Sequence, residues 1–376
     1  ARSVQELLTG TAGISITNNG GLGKNTSVFM RGTESDHVLV MIDGVKIGSA
    51  TSGAAAFQNI PVDQIERIEI VRGPRSSLYG SEAIGGVIQI FTRKGEGELA
   101  PSFSVGVGSH DTYNASASLS AGTKKSWFNA TVTGLDTQGI NSCNGSSSIF
   151  AGCGTEELDK DGYSEYSGAI RAGYRFDNGA ELELTTLRSE GDAEYDGNFQ
   201  NETEFVQQVF GGSATFMPTE IWNTKLALGR SEDKSDNFKD GSFSTRFNTT
   251  RDSISWQNDL ALGSDVLVLG VDFMKDSVDS TSDFDEDSRK NAGVFGQYIT
   301  RIYNQDIELS LRGDDNEQFD EHVTGGVAWG YNVKPKLRLV ASYGTAFKAP
   351  SFNELYFPSF GNPNLKPEES QSFEVG

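Results

Sequence analysis

The sequence predicts an antiparallel transmembrane β-barrel that is preceded by a smaller α+β domain. From Ser102 onward, segment after segment has an apolar residue at every second position. Polar and charged residues occupy the positions between, and short turns alternate with long acidic loops. Because lipid offers the backbone no hydrogen-bond partners, a sheet with one oily face crosses a membrane as a closed barrel.

The alternation is regular enough to count strands. About fourteen segments lie between residues 101 and 376, each near the ~9 to 11 residues that cross the hydrocarbon. A soluble β-sandwich or propeller would show the same period, so the opposite face decides between them. That face suits a wet barrel interior because it is polar or charged at Arg171, Arg175, Glu181, Glu183, Gln257, Asp259, Glu308 and Arg312. Long polar loops are expected at residues 137–163, 190–203, 233–243 and 279–289.

Residues 1 to 97 follow a different pattern. Ser3 and Glu6 have the spacing of a capping box, so a short helix is expected to begin there and to end at Gly10. Two β-branched runs, at residues 38 to 42 and 65 to 71, predict strands that are each followed by a turn-forming pair. We therefore expect a compact α+β domain over residues 1–97 and the barrel over residues 98–376.

Composition excludes several classes of protein. The net charge of -21 repels phosphate backbones, so nucleic acid is not expected as a partner. No apolar run reaches the ~18 to 20 residues of a membrane-spanning helix, and the mean hydropathy is -0.40. The two cysteines, Cys143 and Cys153, lie in one Gly/Ser/Asn-rich segment that is typical of an exposed loop. A local disulfide in an oxidising compartment is expected, with two free thiols as the alternative.

No catalytic motif stands out. The glycine-rich segment 80–86 lacks the Gly-Lys-Ser/Thr of a phosphate-binding loop. The three histidines, His37, His110 and His322, have no serine or cysteine in a nucleophile context. We therefore expect neither an enzyme nor a catalytic cofactor.

Three ordered blocks carry a family resemblance. They are Phe-Met-Arg-Gly at residues 29–32, His-Val-Leu-Val-Met-Ile-Asp-Gly-Val at 37–45, and the run from Arg72 to Ile90 that contains Gly-Ser-Glu-Ala-Ile-Gly-Gly. Together they resemble the plug of TonB-dependent outer-membrane receptors, and among these most of all the cobalamin receptors. The resemblance implies a plug inside an outer-membrane barrel of about 22 strands, so we interpret the chain as a fragment without its two termini, and we expect the remaining strands beyond Gly376.

The same resemblance implies a function and its partners. Receptors of this kind bind cobalamin, or another large metal chelate, and import it with force from TonB in the inner-membrane energising complex. Outer-membrane lipid is the surrounding partner. Two plug loops resemble the apices that touch ligand, which implies ligand-binding roles for Asn19, Gly21, Leu22, Lys24, Asn25, Thr26, Ile47, Gly48, Ser49, Ala50 and Thr51.

Two further sites follow from the resemblance. Arg31 and Arg72 match plug arginines that face glutamates on the barrel wall in a buried ionic latch, and Glu374 matches one such glutamate. Calcium is held between acidic loops in the cobalamin receptors, which implies a structural Ca²⁺ site formed by Asp192, Asp196, Asp236 and Asp240.

Alternatives remain at the level of ligand. A ferric siderophore receptor is not excluded by any residue. A haem receptor would be expected to offer axial His or Tyr in the plug loops, and residues 19–26 and 46–53 contain neither. A passive porin or adhesin barrel would not need the 97-residue N-terminal domain.

Overall fold

A single large sheet dominates the molecule. The computed structural model describes residues 1–143, 155 and 157–376. Its largest sheet has 14 antiparallel strands in chain order, which confirms the predicted barrel wall. The strands are β7 (Ala100–Gly108), β8 (Thr112–Gly122), β9 (Ser126–Ile140), β10 (Asp161–Arg175), β11 (Glu181–Glu194), β12 (Glu202–Thr219), β13 (Trp222–Lys239), β14 (Ser242–Leu262), β15 (Asp265–Ser280), β16 (Ser288–Ile302), β17 (Gln305–Asn316), β18 (Asp320–Lys334), β19 (Leu337–Lys348) and β20 (Glu368–Val375).

The two faces of this sheet differ as the alternation predicts. On β11, Leu182 and Leu184 point outward and are 47% and 58% exposed. Thr185 and Leu187 point inward and are buried. Several strands are longer than the hydrocarbon requires, with 21 residues in β14 against the ~9 to 11 needed. These strands therefore continue beyond the membrane on the side of the long loops.

One predicted loop is wrong. Residues 233–243 were expected to be irregular, but β13 and β14 extend through most of this segment and meet at a tight turn. Asp240 and Gly241 both have positive φ, 51° and 73°, which is the backbone of a type I′ hairpin turn. Because residues 233–243 are rich in charged side chains, the sequence suggested a loop where strand pairing in fact continues beyond the membrane.

The N-terminal domain, here called the plug, contains two smaller sheets. One pairs β1 (Ile14–Asn18) with β2 (Thr26–Met30). The other has the order β4-β3-β6-β5, formed by β3 (Val38–Ile42), β4 (Val45–Ile47), β5 (Ile65–Arg72) and β6 (Gly86–Thr92). Helix α1 (Val4–Leu8) begins at the predicted cap Ser3, whose side chain accepts a hydrogen bond from the Glu6 amide.

The remaining helices are short. They are α2 (Ser76–Tyr79), α3 (Phe352–Tyr356) and the 3-10 helices Ser35–His37, Phe57–Asn59 and Val62–Gln64. Among the residues that the structure describes, no helix has both the length and the hydropathy of a membrane span.

The plug packs against the inner face of the barrel wall. The plug core includes Val45 and Ile47, which cluster with the wall residues Ala169, Leu187 and Val209. Gly229 on β13 permits this approach, because a Cβ there would lie 2.9 Å from the Val45 side chain. Burial of this apolar surface is the non-directional part of the attachment between plug and wall.

Ion pairs supply the directional part. Arg251 on β14 is 2% exposed and pairs with Asp276 on β15 at 2.7 Å and with Glu82 of the plug at 2.8 Å. Glu82 itself has a left-handed backbone, φ 78°, which is uncommon for a residue with a side chain. Lys348 on β19 similarly pairs with Asp36 of the plug at 2.8 Å.

Candidate ligand site between plug and barrel

A cavity of about 860 Å³ lies between the plug and the loop-bearing end of the barrel. This volume is near the top of the ~300 to 1,000 Å³ range of small-molecule sites, so the cavity suits a large ligand. The plug contributes Asn18, Asn19, Gly20, Gly23, Lys24, Asn25, Ala56, Gln58 and Asn59. The wall and its loops contribute Ser142, Cys143, Ala193, Tyr195, Asp196, Thr203, Phe205, Ser235 and Asn237.

Carboxamides are the commonest polar groups in this cavity, and they divide into two kinds. The Asn18 amide is used inside its own loop, where it donates to the Gly21 carbonyl at 2.9 Å. Asn237 is held by Thr203, whose hydroxyl donates to it. Asn19 and Asn25, in contrast, make no side-chain hydrogen bond to any described residue. These two predicted ligand residues therefore have free donors and acceptors beside the cavity.

Lys24 lines the cavity and also contacts the barrel wall. Its ammonium group is buried and donates to the carbonyl oxygens of Asp161 and Gly162 on β10, at 3.2 and 3.1 Å. Desolvation lowers the pKa of Lys24, while the nearby carboxylates of Asp161, Glu194 and Asp196 oppose that shift. Lys24 thus fastens the plug to the wall at the edge of the cavity.

The first plug loop extends beyond the main cavity. Gly21, Leu22 and Thr26 line a smaller neighbouring cavity of about 190 Å³ next to β8 and β9. Thr26 is 4% exposed, and its hydroxyl donates to the Lys24 carbonyl. Thr26 therefore shapes the loop from within, and its contact with ligand stays a prediction.

The second plug loop is covered by barrel residues. Ile47, Ala50 and Thr51 are 2%, 3% and 3% exposed, so they lie behind the surface of this loop, and their contact with ligand stays a prediction. The carbonyl oxygens of Ala50 and Thr51 accept hydrogen bonds from the backbone of Phe352 and Asn353 in α3. Gly48 is also buried, and Ser49 hydrogen-bonds Thr51. Sequence could not show that α3, 300 residues along the chain, folds onto this loop.

The structure brings only part of the predicted latch together. Arg31 contacts the carboxylate of Glu374, and their side chains are 40% and 35% exposed. Arg72 instead donates to the carbonyl oxygen of Ala12 at 2.8 Å. The pair of Arg31 with Glu374 is therefore present, whereas the place of Arg72 in the latch and the role of the latch in plug release stay predictions.

The four aspartates predicted to bind calcium do not meet. Asp236 forms a two-pronged pair with Arg246 at 2.7 and 2.6 Å, which occupies both of its oxygens. Asp192 accepts from Ser164 on the outer face of the wall, and Asp240 accepts from Asn201. Alternation explains the error, because the inward or outward direction of each carboxylate depends on strand pairing that the loop composition concealed.

Asp196 belongs to another acidic cluster. Its ligand atoms lie within 4.8 Å of those of Glu157 and Asp159. Both Asp196 oxygens are shielded from solvent, and among the described residues no side chain donates a hydrogen bond to them, although the nearby Glu157 backbone favours the charged form. Burial, together with the carboxylates of Asp161, Glu157 and Asp159, raises the pKa of Asp196. Lys239 contacts Glu157 and neutralises one charge of the cluster, which leaves about two negative charges together.

Cys143 is 3% exposed and lines the cavity. Its predicted partner, Cys153, lies outside the described residues, so the disulfide stays a prediction. The wall residues Tyr195, Thr203, Phe205 and Asn237 were not predicted as site residues. They stand at the upper ends of β11, β12 and β13, and only the strand register brings them to one side of the cavity.

Comparison with known families matches both regions of the chain. Residues 1–87 match the TonB-dependent receptor plug domain, and residues 102–376 match the TonB-dependent receptor-like β-barrel. The chain is 36% identical to the vitamin B12 transporter BtuB of Photobacterium profundum over 383 residues, covering 100% of this chain and 61% of that protein. It is 34% identical to BtuB of Vibrio cholerae serotype O1 over 388 residues, covering 100% of this chain and 62% of that protein.

Solved structures support the same fold at lower sequence identity. The ferric enterobactin receptor PfeA of Pseudomonas aeruginosa superimposes with a TM-score of 0.80 at 17% identity, covering 100% of this chain and 66% of that one. The siderophore receptor PirA of Acinetobacter baumannii gives 0.81 at 18% identity, covering 100% and 65%. The chain spans about three fifths of the length of the BtuB proteins that it matches. Plug, barrel wall and family matches agree, and the chain belongs to the TonB-dependent receptors of the Gram-negative outer membrane.

Proposed function

We propose that the protein containing this chain captures cobalamin at the outer-membrane surface and imports it with force transmitted by TonB. The observation that carries the proposal is the carboxamide-rich cavity, which meets a ligand fringed by amides with complementary donors and acceptors. The similarity over the whole chain to proteins named vitamin B12 transporters supports the same ligand.

The cavity also explains why energy is needed. A ligand held between the plug and the wall cannot pass inward while the plug stays attached through Lys24 and Glu82. Binding by itself can shift the plug only by the difference in ligand affinity between its two states. An external force from TonB would supply the remainder.

A ferric siderophore is the second candidate, because siderophore receptors share the fold. Charge argues against an anionic chelate. Asp196 lines the cavity, and the ammonium group of Lys24 is already bonded to backbone carbonyls. Calorimetric titration of the full-length receptor with cyanocobalamin and with ferric enterobactin tests the choice. Heat of binding with cyanocobalamin alone supports the proposal, and binding of ferric enterobactin alone contradicts it.

Asn19 and Asn25 give the proposal a specific variant. We expect Asn19→Ala combined with Asn25→Ala to weaken cyanocobalamin binding by roughly 30-fold, since each lost hydrogen bond is worth about 1 kcal/mol. Asn332→Ala is the matched control, because Asn332 lies on β18 near the end of the barrel that is far from the cavity. Equal affinity of the double variant and the control, measured by calorimetry, would remove both asparagines from the site.

We further propose that Glu157, Asp159 and Asp196 hold a calcium ion. Calcium takes six to eight oxygen ligands at ~2.3 to 2.6 Å, and carboxylates are its usual protein donors. The shielded oxygens of Asp196, to which no described side chain donates a hydrogen bond, fit such an ion. The ion would supply the positive charge that three adjacent carboxylates lack. Because Asp196 also lines the cavity, the ion would order one wall of the ligand site.

Calcium is therefore expected to strengthen cyanocobalamin binding. Calorimetry with calcium and with a chelator should give a higher affinity with calcium for the wild type. Asp196→Asn should abolish this difference, whereas Asp240→Asn, which changes an exposed carboxylate nearby, should preserve it. A calcium effect that survives in Asp196→Asn would place the ion elsewhere.

A further inference from the structure

The inner face of the barrel wall differs between its two sides. The inward side chains in the middle of β8 and β9 are small and uncharged, and they are here called the polar lane: Asn114, Ser116, Ser118, Asn129, Thr131 and Thr133. The inner face of β14 to β17 instead carries buried charges, namely Arg251, Asp276, Arg312 and Asp314. Hydroxyl and amide groups exchange one hydrogen-bond partner for another at little net cost, whereas a buried charge does not give up its counter-charge so easily. The polar lane is therefore the side along which a polar ligand can slide.

Cavities follow the polar lane from one end of the barrel to the other. The ligand cavity of about 860 Å³ lies at the loop-bearing end, and the neighbouring cavity of about 190 Å³ is bordered by Asn114 and Thr133. A third cavity, of about 480 Å³, lies at the opposite end of β8 and β9, where Gly122 and Trp127 border it. A cavity between the plug and β17 to β19 measures about 40 Å³. The plug therefore fits the wall more loosely along the polar lane.

Tyr163 on β10 separates the first two of these cavities. Its ring borders the second cavity and stacks on Phe205, which borders the ligand cavity, with the ring centroids 5.8 Å apart. The ring also packs on Gly23 of the plug, where a Cβ would collide with it. The Tyr163 hydroxyl lies 3.3 Å from the carbonyl oxygen of Gln58 in the plug and 3.2 Å from the carboxylate of Glu165 on the wall. Because a tyrosine hydroxyl carries one hydrogen, Tyr163 can release the plug and still donate to the wall.

The other contacts on this side can be exchanged in the same way. Lys24 donates to two backbone carbonyl oxygens of β10 and not to a carboxylate. Arg171, lower on β10, pairs with Asp43 of the plug at 3.2 Å and with Glu183 of the wall at 2.8 Å. Arg171 therefore keeps a counter-charge when the plug moves away. Asp43 keeps the amide of Thr92 within the plug, at 3.0 Å.

The opposite side of the plug is held more firmly. Arg251 donates to both carboxylate oxygens of Glu82, at 3.0 and 2.8 Å. Asp36 pairs with Lys348, whose side chain is 1% exposed. Separation on this side would take the counter-charge from Glu82 and from Asp36. This side is therefore suited to act as the hinge of a plug that opens along the polar lane.

We propose that imported cobalamin passes between the plug and the polar lane, and that Tyr163 is the gate between the ligand cavity and this path. The inference rests on the proposed function. The second cavity is much smaller than the first, so a ligand that fills the first can enter the path only after the plug has moved away from β8 to β10. Force from TonB would produce that movement, while Glu82 and Asp36 hold the plug on the opposite side.

Cysteine labelling in cells that produce the full-length receptor tests the path. Thr133→Cys places a thiol in the polar lane, and Ser310→Cys places one at a matched half-buried position opposite, where Ser310 meets Ser77 of the plug at 2.8 Å. A membrane-impermeant maleimide should label Thr133→Cys several times faster with cyanocobalamin and TonB than without TonB. The labelling of Ser310→Cys should not change. The unmodified receptor gives the background. An unchanged rate at Thr133→Cys, or an equal rise at both positions, would overturn the proposal.

A variant of Tyr163 tests the gate. Tyr163→Phe keeps the ring and removes the hydroxyl that reaches Gln58. Without cyanocobalamin, it should speed the labelling of Thr133→Cys about fivefold, which corresponds to the loss of one hydrogen bond between plug and wall. The labelling of Ser310→Cys should again stay constant. Unchanged labelling of Thr133→Cys in the Tyr163→Phe receptor would remove Tyr163 from the gate.

Obstruction of the path separates this inference from the proposed function. Thr133→Trp fills the second cavity, so it should prevent most cyanocobalamin import while calorimetry still detects cyanocobalamin binding, which also shows that the variant folds. Thr133→Ser is the control and should preserve both import and binding. Import by Thr133→Trp at the wild-type rate would overturn the path alone. Absence of cyanocobalamin binding by the unmodified receptor would overturn the proposed function.

Discussion

Replacing Arg251 with alanine is expected to weaken the attachment of the plug by about 3 to 5 kcal/mol, because it leaves the buried carboxylates of Glu82 and Asp276 without their direct partner. The neighbouring Arg289 is already engaged, since it donates to the carbonyl oxygen of Pro350 at 2.7 Å. Hydrogen exchange of the plug in the full-length receptor measures the effect, which should appear as faster exchange in β3 and β6.

A comparison with Glu82→Ala makes this expectation sharper. That variant leaves Arg251 paired with Asp276 on the neighbouring strand, so its effect should be clearly smaller than that of Arg251→Ala. Arg175→Ala serves as the control, because the Arg175 and Glu181 side chains are 54% and 26% exposed and such pairs contribute about 0 to 1 kcal/mol. If Glu82→Ala loosens the plug as much as Arg251→Ala, the shared carboxylate of Asp276 does not stabilise Arg251.

Gly86→Ala is expected to destabilise the plug by about 3 kcal/mol or more. Gly86 has φ 149°, and a Cβ there would lie 2.3 Å from the Val71 carbonyl oxygen and 2.4 Å from the Met30 sulfur. The Val71 oxygen belongs to the backbone of β5, so it cannot rotate away as a side chain could. Gly86 also starts the strand that pairs with both β3 and β5.

The control for Gly86→Ala separates collision from backbone strain. Gly44 also has positive φ, 87°, but a Cβ there meets nothing within 4 Å. Gly44→Ala should therefore cost only about 1 to 2 kcal/mol. Protection of β3 peptides from hydrogen exchange and cyanocobalamin binding should both be lost in Gly86→Ala and largely kept in Gly44→Ala. Similar behaviour of the two variants would mean that the collision is relieved by movement of β5.

The fold was predictable because it depends on local pattern. Alternation such as that around Leu182 and Leu184 gives the strands and their outward face, and Ser3 with Glu6 gives the first helix. The plug strands over residues 38 to 42 and 65 to 71 were also indicated by β-branched runs. These signals lie within a few residues of one another, so one sequence is enough to read them.

The site was less predictable because it depends on contacts between distant residues. Asn19 and Asn25 do line the cavity, whereas Ala50 and Thr51 lie beneath α3. Asp236 was assigned to calcium, but the register of β13 and β14 places it beside Arg246. Composition can show that a loop is acidic or rich in glycine. It cannot show which distant strand supplies a counter-charge.

The wall and the plug differ in how far apart in the sequence their contacting residues lie, and this difference affects the order of assembly. Each wall strand pairs with the next one in the sequence, so the wall can grow hairpin by hairpin. The plug is different, since Ala50 bonds to Thr249 and Ser81 to Ala349, residues 199 and 268 positions away. Contacts between residues so far apart in the sequence cost loop-closure entropy and form slowly. We therefore expect the plug, although it precedes the wall in the chain, to dock only after β14 to β19 have assembled.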